Sequence, residues 1–240
     1  MKHIASCSGG KDSVALVLML IELGYPLDEV VFFDNGMEFR AIYDTMERMS
    51  EILSMHGIKY TVLHPDYDFE YKMFDKPVNG RNGFHYGYSW CGGRCRWGTT
   101  DKLKYIRNHC KDAIQYVGIA ADEPQRFEKA KHENKVMPLV EWGMTEADCL
   151  AYCNSKGFFW VENGIPLYNI LDRVSCWCCA NKNLKELKNI YTFLPEYWER
   201  LKCLQSKTDR PMKGEGKSVF DLERRFNAQE RKSRHEENKR

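Results

Sequence analysis

The segment Ser8-Gly9-Gly10-Lys11-Asp12-Ser13 constrains this chain more than any other part of it. It joins two apolar runs, residues 3–7 and residues 12–23. The first reads as a strand. The second carries Val14, Leu16, Val17, Leu18, Leu20 and Ile21 around nearly the whole circumference of a helix, so it reads as a buried helix. Gly24 and Pro26 end it. A glycine loop between strand and helix lets the backbone approach an anion closely, in dihedrals barred to other residues. The first amides of the helix then point at that anion, and the helix dipole favours its charge. Lys11 adds a positive charge, and Ser8 and Ser13 add hydroxyls. The spacing is not Gly-x-x-x-x-Gly-Lys-Ser/Thr, so a P-loop kinase or GTPase is not implied.

The pattern continues past this loop. Residues 30–34 form a β-rich run ending in Asp34, residues 40–56 an amphipathic helix stopped by Gly57, and residues 60–64 a third strand. Residues 99–110 read as a helix, 114–120 as a fourth strand and 136–142 as a fifth. Thr145-Glu146-Ala147-Asp148 resembles a capping box opening a helix that runs to Gly157. Two further helices are expected over 183–193 and 195–204, and a frayed, charged tail over 229–240. This alternation predicts an α/β fold: an open, mostly parallel five-stranded sheet with helices on both faces and a ligand at the carboxyl ends of the strands. The expected units are a nucleotide-binding domain over 1–180, a helical segment over 181–228 and a flexible tail over 229–240. Residues 65–97, rich in glycine and aromatics, interrupt the pattern and read as a long functional loop.

Ten cysteines are present. The N-terminus goes straight into a strand-like segment without an apolar leader, and no apolar run is long enough to span a bilayer, so a reducing cytoplasm is expected. In that setting thiols serve as metal ligands, reactive groups or small buried residues rather than disulfides. Four of them fall in two pairs, Cys91-x-x-x-Cys95 and Cys176-x-x-Cys179, with Cys178 inside the second. Two separated pairs suit either a tetrahedral zinc ion or a four-iron cluster, and spacing does not choose between them. The glycines and tryptophans around both pairs suit a loop that wraps and shields a metal. Cys7, Cys110, Cys149, Cys153 and Cys203 read as small buried hydrophobes.

The six residues of the loop resemble the PP-loop of the ATP pyrophosphatases, the adenine nucleotide α-hydrolase superfamily. The resemblance implies that Ser8, Gly9, Gly10, Lys11, Asp12 and Ser13 hold pyrophosphate, with Lys11 and Asp12 catalytic, while ATP is cleaved between its α and β phosphates and an acceptor is adenylated. Within that superfamily the chain is similar to the phosphoadenosine phosphosulfate (PAPS) reductase-like family over roughly residues 1–180. Residues 30–39 look like its second strand and turn, which places Asp34 near the nucleotide. Residues 118–126 sit where the family carries Gly-x-Arg-Arg-Asp-x-x-x-x-Arg: Gly118, Asp122 and Arg126 are kept in type, and Ala120 and Ala121 replace the two arginines. Met144–Asp148 resembles its late Thr-Glu-x-Asp helix. Assimilatory adenosine phosphosulfate (APS) reductases look similar in their cysteines and imply a [4Fe–4S] cluster on Cys91, Cys95, Cys176 and Cys179, with zinc the alternative and Cys178 a substitute ligand or free reactive thiol. The C-terminal Glu-Cys-Gly-(Leu/Ile)-His segment of those reductases has no counterpart here.

The function expected from this is ATP-dependent adenylyl or sulfur transfer to a small-molecule or nucleobase acceptor, with a sulfur donor or thioredoxin-like reductant as partner and a homodimer as the assembly. Sulfonucleotide reduction and a non-catalytic nucleotide- and metal-binding module are the alternatives. Asp34, Asp122 and Glu123 are candidates to place Mg²⁺. His64, His85 and His109 are read as structural. Arg94, Arg96, Lys102 and Lys104, with aromatic neighbours, are weighed as a nucleic-acid surface against a solvated helix face. The net charge of +2 excludes neither.

Overall fold

The computed structural model describes residues 1–80, 83–93, 95–130 and 132–237. β1 (Lys2–Ser6) runs into the glycine loop and α1 (Lys11–Glu22) leaves it. β2 (Glu29–Phe33), α2 (Arg40–Met55) and β3 (Lys59–Leu63) follow, each within one residue of the expected bounds. Residues 65–97 are not irregular throughout. They contain an antiparallel hairpin of β4 (Pro77–Gly80) and β5 (Gly83–Tyr86). α3 (Lys102–His109) and β6 (Ala113–Val117) come next.

The expected fifth strand over 136–142 is mostly a short helix. Only β7 (Lys135–Val136) pairs, with Gln115 opposite Lys135 and Tyr116 opposite Val136. It lies after a short helix the sequence did not signal, α4 (Pro124–Ala130). Pro138 then opens α5 (Pro138–Glu141), because its fixed φ suits the first helical position and its missing N–H ends the ladder. α6 (Glu146–Ser155) starts on the expected capping box, with Thr145 and Asp148 bonding each other's backbone N–H. A small hairpin, β8 (Val161–Glu162) and β9 (Ile165–Pro166), and one turn of helix, α7 (Leu167–Ile170), lead to α8 (Leu184–Phe193), α9 (Pro195–Ser206) and α10 (Val219–Glu237).

The main sheet has the order β3-β2-β1-β6-β7, and all four pairings are parallel. β2 is buried along its whole length, which explains its unbroken Val-Val-Phe-Phe run. The larger core joins α1, α2, α6 and the C-terminal helices on one face. On the other face Ile106 and Cys110 at α3 pack against Ile4, Val31, Phe33 and Ala113. The chain turns to opposite sides of β1 at the β1–β6 boundary, and that switch point is where an open α/β sheet has its ligand crevice.

Residues Gln229–Glu237 of the expected tail continue α10 as helix: Val219, Leu222 and Phe226 anchor it, and the Gln, Glu, Lys and Arg residues that follow are good helix formers, while residues 238–240 lie outside the described residues. Cys203 is exposed rather than buried, because Leu201 and Leu204 take the inward positions of α9. Cys7, Cys110, Cys149 and Cys153 are buried as expected, and all ten cysteines are free thiols. No helix among the described residues is long and apolar enough to cross a membrane.

Burial pushes the Cys149 thiol up to about 12. Brief iodoacetamide treatment of the native protein is therefore expected to alkylate Cys203 and to spare Cys7, Cys149 and Cys153. Peptide mass spectrometry reads the difference, and Cys149 labelled as fast as Cys203 would contradict this packing.

Candidate functional site

The glycine loop crosses the carboxyl end of β1, and aromatic residues brace it from behind. Gly9 has φ +75°, and a Cβ there would lie 2.8 Å from Ile42 Cγ2, so only glycine fits the curve. The Trp160 indole donates to the Gly9 carbonyl at 2.7 Å. The Lys11 amide donates to the Tyr168 hydroxyl at 2.9 Å. Trp160 and Tyr168 meet edge to face at 5.2 Å. Ser13 Oγ donates to the Gly10 carbonyl at 2.9 Å and accepts from the Ser8 amide at 3.0 Å, so Ser13 holds the loop's shape rather than offering its hydrogen to a ligand. Gly10 begins α1 with no side-chain cap, which leaves the helix opening free of a competing oxygen from its own cap residue.

A pocket of about 360 Å³ opens over this loop. Gly118 walls it from β6, and Gly98, Thr99 and Lys102 from the start of α3. Tyr168 and the stretch from Asp172 to Ser175 close the far side. Four cations face it: Lys11, Lys102, Arg126 and Arg173. Lys11 is only 8% exposed, and its Nζ lies 2.9 Å from Asp12 Oδ1 and 2.6 Å from Glu146 Oε2. Burial pulls this ammonium down, but the two carboxylates outweigh it and hold its pKa above the ordinary value. Burial also raises Asp12, with Lys11 opposing. Carboxylate oxygens of Asp12, Glu123 and Glu146 come within 4.8 Å of one another, a set that can hold a divalent cation.

The structure redistributes the expected site residues. Ser8, Gly10, Lys11, Asp12, Ser13, Gly118 and Arg126 line the pocket together. Gly9 shapes it from below. Asp122 does not line it but accepts the Glu146 amide at 3.0 Å and so fixes the start of α6. Asp34 also stands apart: its carboxylate accepts from the Gly36 amide at 2.7 Å and from the Tyr43 hydroxyl at 2.9 Å, which closes the turn after β2. Lys102 belongs to the phosphate pocket, not to an outer surface. Arg94 and the Trp97 side chain lie outside the described residues. Sequence reasoning missed Trp160, Tyr168 and Arg173. The one local signal was the Asp172–Ser175 stretch leading directly into Cys176.

The two cysteine pairs do converge. Cys91, Cys95, Cys176, Cys178 and Cys179 line one small chamber with Trp90 and Ala180. Cys178 is 4% exposed and lines this chamber beside the four expected ligands. Two N–H groups point at sulfur: the Asn35 side-chain amide at Cys176 Sγ (3.0 Å) and the Gly98 amide at Cys95 Sγ (3.3 Å). Donors aimed at cysteine sulfur stabilise thiolates, the form in which cysteine binds metal. This donor set therefore fits a soft metal ion or an iron–sulfur cluster. The chamber adjoins the pocket. A Cβ on Gly98 would lie 3.6 Å from Cys95 Sγ and 3.7 Å from Cys176 Sγ, and Gly98 also walls the phosphate pocket.

A Cβ on Gly118 would lie 2.9 Å from Ser13 Cα and 3.0 Å from Ser13 N, both backbone atoms of α1's first turn. Gly118→Ala is expected to displace that turn, costing about 1–3 kcal/mol of stability and at least tenfold in affinity for Mg–ATP. Urea unfolding and titration calorimetry measure the two effects, and unchanged affinity would detach Gly118 from the site.

The family described as Phosphoadenosine phosphosulfate reductase domain matches residues 2–162. Two proteins of Methanocaldococcus jannaschii, the uncharacterised MJ0066 and MJ0973, are 27% identical over 225 residues and 24% identical over 210. These matches cover 87% and 80% of this chain but 42% and 46% of theirs, so the chain spans less than half the length of these relatives. Among solved structures, a U34-tRNA thiolase NcsA from Methanococcus maripaludis with its [4Fe–4S] cluster aligns over 95% of this chain and 72% of its own, at 13% identity and a TM-score of 0.46. Candida glabrata FMN adenylyltransferase, in complex with FMN and an ATP analogue, aligns over 63% and 46% at 14% identity and a TM-score of 0.33. The family match takes in β1, the glycine loop, Gly118 and α6, which build much of the pocket, and by it this chain belongs to the phosphoadenosine phosphosulfate reductase domain family.

Proposed function

We propose that this chain is an ATP-dependent enzyme that cleaves ATP to AMP and pyrophosphate, adenylates an acceptor and passes sulfur to it. The observation that carries this reading is the shared wall at Gly98, which sets a thiol chamber directly against a phosphate pocket. An acceptor oxygen would attack the α-phosphorus, and the bond to the bridging oxygen of pyrophosphate would break. Lys11 and the first amides of α1 would stabilise the charge gathering on the leaving group. Lys11 must first exchange Asp12 and Glu146 for phosphate. Mg²⁺ carried in with the nucleotide would take over those carboxylates and release the lysine. A sulfur nucleophile would then displace AMP from the activated atom. Cys91, Cys95, Cys176 and Cys179 are the residues to hold a [4Fe–4S] cluster or zinc, with Cys178 beside them, and such a centre supplies a soft metal able to hold sulfur.

Family membership supports a second reading, reduction of APS or PAPS with a thioredoxin-like partner. Ala120 and Ala121 stand where the resemblance places two arginines, and Cys178 is sealed in the chamber rather than presented to the pocket. Both facts favour ATP. Titration calorimetry of the anaerobically purified protein with Mg–ATP, APS and PAPS in parallel decides between the readings, and preference for a sulfonucleotide would overturn adenylation.

Two substitutions test the parts separately. Lys11→Ala is expected to lower pyrophosphate release at least about 100-fold, the scale of a lost transition-state charge contact, with retention of the fold checked by circular dichroism. Undiminished release would remove Lys11 from the chemistry. Cys176→Ser is expected to strip the metal, read by elemental analysis and by the visible absorbance of iron–sulfur centres. Full occupancy in that variant would remove Cys176 from the ligand set.

A further inference from the structure

The charge of this chain is unevenly placed. Residues 71–110 contain eight lysines and arginines against two aspartates and no glutamate. The remaining 200 residues are acidic, with 28 basic side chains against 32 acidic ones. One of the two aspartates, Asp101, is paired with the buried Lys72. The β4–β5 hairpin projects from this basic stretch, and among the described residues its strands pair only with each other. Phe84 and Tyr86 stand on the same face, edge to face at 5.1 Å, yet are 59% and 67% exposed. Pro77 and Asn79 oppose them across the hairpin and give their rings no cover.

A two-stranded hairpin is marginal in water alone, but this one is rooted. The Gly87, Tyr88 and Ser89 amides donate to the Lys76, Lys72 and Met73 carbonyls at 2.8, 3.0 and 2.8 Å. From that root a line of cations and rings leads back to the thiol chamber. Lys76 Nζ and the Arg96 guanidinium each lie 5.7 Å from the Tyr88 ring centre, and Arg96 follows Cys95 directly. Exposed rings on a rigid root, interleaved with cations and set in a basic field, match what unpaired bases and their phosphates require: aromatic faces to stack on and charge along the backbone. A duplex offers no free base faces. Cellular DNA is duplex, so accessible unpaired bases are chiefly those of RNA loops.

We propose that the Phe84–Tyr86 face and the Lys76–Tyr88–Arg96 stack form a platform that grips the unpaired bases of an RNA loop and guides one of them to the chamber. What happens to that base rests on the sulfur-transfer reading above; the grip itself does not.

The test is fluorescence anisotropy with the anaerobically purified full chain and a fluorescein-labelled RNA stem–loop, without nucleotide. Its fully paired RNA duplex and the DNA stem–loop of the same sequence are the controls. The stem–loop RNA is expected to bind at least tenfold tighter than the duplex and tighter than the DNA. Phe84→Ala with Tyr86→Ala should weaken it about tenfold or more while leaving the salt dependence unchanged. Lys76→Ala should flatten the slope of log affinity against log salt by about 0.7. Because Phe84 and Tyr86 are exposed, the double variant is expected to keep the parent's thermal midpoint and its Mg–ATP affinity. The conservative pair Phe84→Tyr with Tyr86→Phe should restore RNA binding. Absent RNA binding, equal affinity in the double variant, or equal affinity for the duplex overturns the platform. Tighter binding of the DNA overturns the assignment to RNA. A concentration-dependent sedimentation coefficient that the double variant abolishes, with no RNA binding, makes the hairpin a contact between copies of this chain. Mg–ATP affinity is measured separately, so failure of the nucleotide reading and failure of the platform give different results.

Discussion

The absence of a side chain at Gly118 sets how closely β6 approaches the first turn of α1. That approach, with Cβ space already filled by the Ser13 backbone, is possible because β6 lies beside β1 at the sheet's switch point. Every other part of the site is positioned from this junction. The glycine loop leaves β1 there, α1 begins there, and the segments carrying Tyr168, Arg173 and Gly98 close around it. Ser13 ties the loop from within, through the Ser8 amide and the Gly10 carbonyl. The Trp160 indole and the Tyr168 hydroxyl, both more than 150 residues away in sequence, brace it from outside. The loop is a local motif whose geometry is shared between its own bonds and remote parts of the chain.

The charges in the pocket follow a related logic. A lysine that is 8% exposed needs partners, because an unpaired buried ammonium is costly. Asp12 and Glu146 supply them, and Asp122 in turn fixes the start of the helix that carries Glu146. The pocket thus holds its own counter-charges before any ligand arrives. A bare anion would have to expel both carboxylates from the lysine, whereas an anion arriving with a divalent cation can satisfy lysine and carboxylates together. This arrangement discriminates by charge balance: it favours an anion that arrives with a divalent cation over a bare one.

Much of this was legible in the sequence, and the failures have physical causes. The loop, the first three strands and the first two helices were readable because each is a run of residues whose own periodicity and end signals agree. β7 was over-read because Val136 and Leu139 are apolar in either conformation, and only Pro138 marks that a short helix takes over. Cys203 was misplaced because leucines on both sides made its neighbourhood apolar, although helical geometry turns it outward. The two cysteine pairs were expected to meet at one site and do; what spacing did not show is that this site abuts the pocket across Gly98, which depends on how the start of α3 folds back. Trp160, Tyr168 and Arg173 carried no motif at all. Their roles arise from tertiary contact alone.

The match to the reductase domain ends at residue 162, while Tyr168, Arg173 and three of the five chamber cysteines come after it. The glycine loop, Gly118 and α6 thus lie within what the chain shares with its family, and the chamber is completed by the segment between α7 and α8. Gln205 braces it. Buried on α9, its carbonyl oxygen accepts from the Trp90 indole at 3.1 Å and from the Met212 amide at 3.1 Å, while its amide donates to the Thr208 and Arg210 carbonyls at 2.9 and 3.0 Å. Trp90 precedes Cys91 and lines the chamber. Asn181 adds a second tie, accepting from the Gly93 amide at 2.7 Å and donating to the Gly93 carbonyl at 2.8 Å. The loop that carries the first cysteine pair is thus tied on two sides: Gln205 and Asn181 hold it at Trp90 and Gly93, and the Thr100 amide and hydroxyl each donate to the Cys95 carbonyl at 3.0 Å. The residues from Cys176 to Ala180, between α7 and α8, thus line the chamber directly, and α9 supports it from behind through the bond between Gln205 and Trp90.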